Sequence, residues 1–182
     1  MKKIFLLTVA LVTGFIISAK ANGPLIGKQA RKQLRKERRE IRRELWIHSV
    51  NSLTDDQFHT DFPNANDVTW TRGEFEEAGF MDNDVYKTAY YDGENNLVGT
   101  TSVVDYSVLP AKSRSYISKK YPGYTAEKVI LFDDNESNNT DMVLYGNPFG
   151  DKDSYFPVLK NGVKRIILMV TTNGNVSFFK TL

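Results

Sequence analysis

The sequence contains no cysteine. Disulfides, thiol nucleophiles, thiolate metal sites and a lipidated N-terminal cysteine are therefore all excluded. Histidine is nearly absent, with only His48 and His59, and no serine stands in a nucleophile-elbow motif. A Ser-His-Asp site draws its members from distant parts of a chain, but here no poised nucleophile or base marks one. The sequence reads as a non-enzyme with no catalytic residues, no cofactor-binding residues and no metal ligands. Asp82-Asn83-Asp84, Asp133-Asp134-Asn135-Glu136 and Asp151-Lys152-Asp153 offer oxygen ligands. None of them has the twelve-residue calcium loop with its central glycine and terminal glutamate, and Asp and Asn favour turns in any case.

Only one long apolar run occurs. Lys2 and Lys3 precede the uncharged, mostly apolar stretch Ile4 to Ser18, and Ala19-Lys20-Ala21 follows. This is the layout of a secretory leader with a small-x-small cleavage pattern, which predicts a mature start at Asn22 and a periplasmic or secreted location. The stretch is short for a membrane span.

Across 182 residues, 41% are hydrophobic and 12% aromatic, enough for one ordinary domain or two small repeats sharing a core. The net charge of +2 conceals an uneven distribution. Residues 28–44 hold nine Lys or Arg against three Glu, a net +6, whereas residues 45–182 hold 12 basic and 19 acidic residues, a net −7. A basic arm adjoins an acidic body.

Asn22-Gly23-Pro24 breaks the chain before the arm. Lys28 to Trp46 lacks Gly and Pro and predicts a helix, with Leu34, Ile41 and Leu45 on one narrow apolar stripe. Three uses are open for Arg35, Arg38, Arg39, Arg42 and Arg43: an anionic membrane surface, an acidic patch on the same or a neighbouring molecule, or plain solvation of a helical spacer. Nucleic acid is not expected of an exported chain.

From Leu53 onward the punctuation is regular. A short helix, capped by Thr54, ends at Pro63. Strands are expected near Val68–Trp70, Phe75–Phe80, Val85–Tyr91 and Leu97–Val104, separated by turn residues. Leu109-Pro110 opens a second helix, with Pro at its first position, and Pro122-Gly123 closes it. Further strands are expected over Tyr124–Phe132, Asp141–Tyr145, Tyr155–Lys160, Val163–Thr172 and Asn175–Lys180, with Asn161-Gly162 and Asn173-Gly174 as hairpin turns. Phe62-Pro63 before a strand is echoed by Tyr121-Pro122 before a strand.

The expected fold is therefore α+β. Two helix-plus-four-strand repeats, at about residues 53–106 and 107–182, form a curved antiparallel sheet with both helices on one face, preceded by a basic N-terminal helix. The domain plan is a leader over 1–21, an arm or linker over 22–50 and a body over 51–182.

Alternation places Trp70 with Val68 toward the helices and puts Tyr86, Thr88 and Tyr90 on the other face. Tyr86, Tyr90, Tyr145 and Tyr155 are the candidate partner-binding residues, because tyrosine brings large contact area at low entropic cost. Core packing is the alternative for each.

Phe62-Pro63-Asn64-Ala65, Asp67-Val68-Thr69-Trp70, Glu77-Ala78-Gly79-Phe80 and Tyr91-Asp92-Gly93, with Leu109-Pro110, Tyr121-Pro122-Gly123-Tyr124 and Asn173-Gly174, resemble the β-lactamase-inhibitor-like, PepSY-like family of bacterial exported proteins. The resemblance covers about residues 53 to 182 and omits the arm. It implies a repeated helix-plus-sheet fold and suggests protein binding. The resulting expectation is an exported module that binds a protein of the cell envelope, with inhibition of a secreted or periplasmic hydrolase as a narrower version. A third reading is an envelope-associated structural protein acting through the arm.

Overall fold

The computed structural model describes residues 28–182; the leader and its cleavage site, like the Asn22-Gly23-Pro24 break, lie outside the described residues. Two units are distinguished, one ending at Glu40 and the other covering Ile41–Leu182. Helix α1, Lys28–Ile47, is unbroken. None of the described helices is long and apolar enough to cross a membrane.

The body is an antiparallel sheet of eight strands, ordered β1-β2-β3-β4-β5-β8-β9-β10. Its first half is β1 (Asn66–Arg72), β2 (Glu76–Asp82), β3 (Val85–Tyr91) and β4 (Leu97–Val104); its second is β5 (Thr125–Asp134), β8 (Ser154–Asn161), β9 (Lys164–Thr171) and β10 (Val176–Thr181). Helix α2 (Ser52–Asp61) precedes the first half and α3 (Ala111–Lys120) the second. The expected two-repeat α+β plan is present. One predicted strand leaves the sheet: β6 (Met142–Leu144) pairs only with β7 (Asn147–Phe149), part of the segment expected to be loop.

The repeat is visible atom by atom at the joint between helix and sheet. Thr54, Phe58, Phe62 and Ala65 correspond to Ser113, Ile117, Tyr121 and Tyr124, each 59 positions later. Phe58 and Ile117 are buried anchors, at 0% and 4% exposure. Phe62 caps α2 at φ −128°, ψ 69°, and Tyr121 caps α3 at φ −123°, ψ 61°. The N–H of Phe62 donates to the Phe58 carbonyl at 2.8 Å, and that of Tyr121 to the Ile117 carbonyl at 2.9 Å. Each joint thus satisfies an otherwise orphan helix-end carbonyl and aims the next residues into a strand.

The helix starts differ from expectation. Asn51, not Thr54, caps α2, accepting from the Leu53 N–H at 3.1 Å. Thr54 is buried and donates to Asn95 Oδ1 at 2.9 Å. Pro110 is the residue before α3 rather than its first helical position.

Both helices lie on one face. Phe58 of α2 packs with Ala78, Phe80, Ala89 and Tyr91, and Trp70 and Val68 join them. Ile117 of α3 packs with Val129, Leu159, Leu168 and Val170. Through the pairs Ala89↔Thr100 and Thr100↔Asp133, Ala89 and Val129 fall on the same side of the sheet. Polar atoms pin α2 down: Trp70 Nε1 donates to Asp55 at 3.1 Å and the Tyr91 hydroxyl to Asp61 at 2.8 Å. Burial, and then the bond to Asp61, push the Tyr91 phenol well above its ordinary range.

The opposite face is covered only in part. Met142, Leu144 and Phe149 of the β6–β7 hairpin pack over Phe132, Phe156, Val158 and Ile167. Phe149 stands edge-on to Phe132 and Phe156, with ring centroids 5.1 Å and 4.7 Å apart. Asn147 Nδ2 donates to the Phe179 carbonyl at 3.0 Å, and Lys180 Nζ donates to the Tyr145 carbonyl, tying the hairpin to β10.

If the joint carries the fold, Phe58→Ala and Ile117→Ala should each lower unfolding free energy by about 2–5 kcal/mol. Denaturant melts check this; a loss below about 1 kcal/mol at either position contradicts the equivalence of the two anchors.

Candidate binding face

The core under the β6–β7 hairpin reaches into the first half and buries Phe75, Tyr90 and Val98, but beyond these the helix-free face of the first half stays open. Pairing registers assign its residues: Thr69 and Thr71 on β1, Glu77, Gly79 and Met81 on β2, Tyr86, Thr88 and Tyr90 on β3, and Thr101 and Val103 on β4. Tyr86 is 58% exposed and Val103 62%. Met81 and Thr88 are half-buried, and Thr69 and Thr71 exposed.

Two glycines let aromatic rings lie flat here. A Cβ on Gly79 would run into the Tyr86 hydroxyl. A Cβ on Gly99 would lie 2.7 Å from the Phe132 ring and 2.6 Å from the Asp133 carbonyl. A ring laid over a glycine of the neighbouring strand replaces the missing side chain and fixes register.

Three of the four candidate tyrosines meet at this face, in different states. Tyr86 is exposed. Tyr90, next to it on the same side, is buried at 8% and shares a 3.1 Å hydrogen bond with Thr101 Oγ1. Its phenol is pushed up to about 12, chiefly by burial, with Glu77, Tyr145 and Tyr86 adding to the rise. Tyr145 sits half-buried at the hairpin turn, at φ +53°. Tyr155 stands apart: it pairs with Leu131 and Val170 and packs in the α3 core on the other face. Alternation along β8 sends Phe156 to the hairpin-covered side and Tyr155 to the helix side, which the sequence pattern of that strand, apolar on both faces, does not reveal. Burial also raises the pKa of Glu77, the one carboxylate on this face. Neither Glu77 nor Thr101 stood out in the sequence, because both read as ordinary strand residues.

The two histidines face no serine among their bonds. His48 Nδ1 lies 3.2 Å from the Trp70 carbonyl, and its Nε2 lies 3.9 Å from Glu44. His59 Nε2 lies 4.0 Å from Asp55, whose Oδ1 is already held by Trp70. Both side chains are exposed.

The acidic segments form a separate cluster. The Asp134 N–H donates to Asp153 at 2.9 Å. An open cleft beside it is lined by Asp134, Glu136, Asp151, Lys152, Asp153 and Thr172. Asp134 Oδ1 and Asp151 Oδ1 are both buried without a donor. Burial, then the facing Asp151, raise the Asp134 pKa to about 6. No group of three or more acidic or histidine side chains among the described residues is placed to hold a metal ion. The Asp82-Asn83-Asp84 turn is a β2–β3 turn whose Asp82 pairs with Lys87 at 2.8 Å.

Arg35, Arg38, Arg39, Arg42 and Arg43 are exposed along α1. At the base of the arm, the Arg72 guanidinium lies 5.4 Å from the Trp46 ring centroid and is paired with Glu76.

A carboxyl whose folded pKa lies above its unfolded value of 3.8 stabilises the fold while protonated and loses that contribution as pH rises through about 6. Asp134→Asn should therefore raise stability more at about pH 7.5 than at about pH 4.5. Urea melts of both chains at the two pH values check it; an equal difference at both contradicts the raised Asp134 pKa.

Comparison with known proteins places the architecture. No family model matches the sequence, and no curated protein matches it. Solved structures do match. A BLIP-like protein from Bacteroides fragilis aligns with TM-score 0.56 at 16% identity, over 74% of this chain and 87% of that one. A DUF2874 family protein from Bacteroides uniformis aligns with TM-score 0.60 at 12% identity, over 73% and 90%. A protein named as periplasmic from Bacteroides eggerthii aligns with TM-score 0.60 at 10% identity, over 73% and 89%. At these identities the likeness is one of fold: the chain has a BLIP-like α+β fold with a large open antiparallel sheet.

Proposed function

We propose that this chain is an exported, non-enzymatic binding module whose contact surface is the open face of the first half of the sheet. The observation that carries the reading is the unequal cover. One hairpin shields the helix-free face of the second half, while Tyr86 and Val103 stand exposed on the first. An exposed aromatic and aliphatic centre with a polar surround is the layout of a protein contact. Periplasmic or secreted placement is supported by the leader-like start and by the periplasmic name of one neighbour.

Inhibition of a secreted or periplasmic hydrolase is the narrower version, favoured by the BLIP-like neighbour. A different use, in which Arg35, Arg38, Arg39, Arg42 and Arg43 hold the chain to an anionic envelope surface, draws on the exposure of α1.

Immobilised chain, incubated with native envelope extract, should retain a partner that Tyr86→Ala and Val103→Asp lose. A hot-spot residue of about 2 kcal/mol corresponds to roughly 30-fold weaker binding. Tyr116→Ala, altering an exposed residue of α3, should change nothing. Wild-type affinity in a well-folded Tyr86→Ala, Val103→Asp double variant contradicts the assignment of this face.

A further inference from the structure

We infer that the corner of the second half where α3 ends and the β8–β9 hairpin turns is a docking site for an anionic lipid surface. This corner is separate from the open face of the first half, and all its parts belong to the unit covering Ile41–Leu182. Helix α3 ends in Lys119-Lys120, and Tyr121-Pro122-Gly123 turns the chain into β5. Thr125, at the start of β5, pairs with Lys160 at the end of β8, and its Oγ1 donates to the Lys160 carbonyl at 3.4 Å. Gly123 lies so near the hairpin that a Cβ there would stand 3.3 Å from Asn161 Nδ2. The end of α3 and the β8–β9 turn therefore share one surface.

That surface is strongly basic. Residues 116–128 and 159–165, which build it, hold six Lys or Arg against one Glu, a net +5. The one carboxylate, Glu127, already accepts from Arg165 Nε at 2.8 Å. Lys119, Lys120, Lys160 and Lys164 are exposed and form no ion pair among the described residues. The nearest acidic turn on the first half is the β2–β3 turn with Asp82 and Asp84, three strands from β8. At about 4.8 Å per strand that is roughly 14 Å, beyond the screening length of about 10 Å at 0.1 M salt. The fold leaves this positive charge uncompensated.

An apolar knob stands among the lysines. Asn161 pairs with Lys164, which leaves Gly162-Val163 as a two-residue turn with Gly162 at φ +58°. Such tips favour Gly, Asn, Asp or Ser. Here the tip is Val163, 97% exposed, the most exposed large hydrophobic side chain among the described residues. Leu182, also exposed, lies beside the hairpin, its N–H donating to the Arg165 carbonyl at 2.9 Å. Tyrosines border the corner on the α3 side. Tyr116 is exposed one turn before Lys119 and Lys120, and Tyr121 and Tyr124 meet edge-on with ring centroids 6.1 Å apart.

A convex tip of this kind matches a bilayer interface. The valine enters the boundary between headgroups and acyl chains, tyrosine is at home where one end is apolar and the other wet, and ammonium groups on long stems reach lipid phosphates. A protein partner would need a pocket shaped to the tip, whereas a bilayer needs none.

Because the chain has no cysteine, a single Val163→Cys substitution carries an environment-sensitive fluorophore to the tip. The test uses the chain that begins at Asn22, with Val103→Cys, on the open face, as the comparison. On mixed phosphatidylglycerol–phosphatidylcholine vesicles, emission from position 163 should shift to the blue and become shielded from an aqueous quencher, while position 103 stays unchanged. Binding should weaken between about 0.1 M and about 1 M salt, as the screening length falls from about 10 Å to about 3 Å. Lys160→Glu with Lys164→Glu should weaken it at least about tenfold, with circular dichroism confirming the fold. No binding to these vesicles overturns the inference, as does equal binding to phosphatidylcholine alone. Vesicle binding that leaves the position-163 label in water, or that the double variant does not weaken, also overturns it and assigns the lipid contact to the basic arm. A label that responds to soluble envelope proteins but not to vesicles overturns it and assigns the corner to a protein.

Discussion

An open antiparallel sheet has two faces, and each must be covered or made tolerable to water. That constraint organises this molecule. On one face the solution is symmetrical: α2 and α3 each lay a buried anchor, Phe58 or Ile117, on four strands. On the other face the solution is lopsided. The second half grows a hairpin whose Met142, Leu144 and Phe149 close its core, while the first half dresses its face with threonine, tyrosine and one carboxylate. The two frames match, and the difference between them lies in what covers the helix-free side.

The open face is well ordered by its own chemistry. Tyr86 lies over Gly79, and Tyr90 is buried against Thr101. Such rings lose little freedom when a partner arrives, which is how a surface becomes a contact site at low entropic cost. The BLIP-like fold itself confers no activity on the chain, because function resides in the side chains that a fold displays. Here the displayed set has aromatic area and carboxylates at its rim, but no nucleophile paired with a base.

Much of this frame was legible in the sequence. Pro63 and Pro122, the Asn-Gly turns and the period-two strands located both repeats, and the Phe62-Pro63 and Tyr121-Pro122 echo marked the joints. Alternation placed Trp70 toward α2 and Tyr86 away from it. Other features depend on pairing that no local pattern carries. The Met142–Leu144 strand reads like any other, yet Tyr145 and Gly146, both at positive φ, turn it back on Asn147–Phe149 instead of into the sheet. Tyr155 follows a buried serine on a strand that is apolar on both faces, so its side could not be assigned without β5 and β9 as neighbours. Thr54 looked like a cap and is instead a buried donor to Asn95, a residue 41 positions away.

On the function proposed above, the open face of the first half is where this chain meets its partner. A photo-crosslinking amino acid introduced in place of Tyr86, and separately in place of Tyr116 on α3, tests it in the native envelope. Covalent adducts are expected from position 86 and none above background from position 116. Equal labelling from both positions, or adducts from position 116 alone, would contradict it.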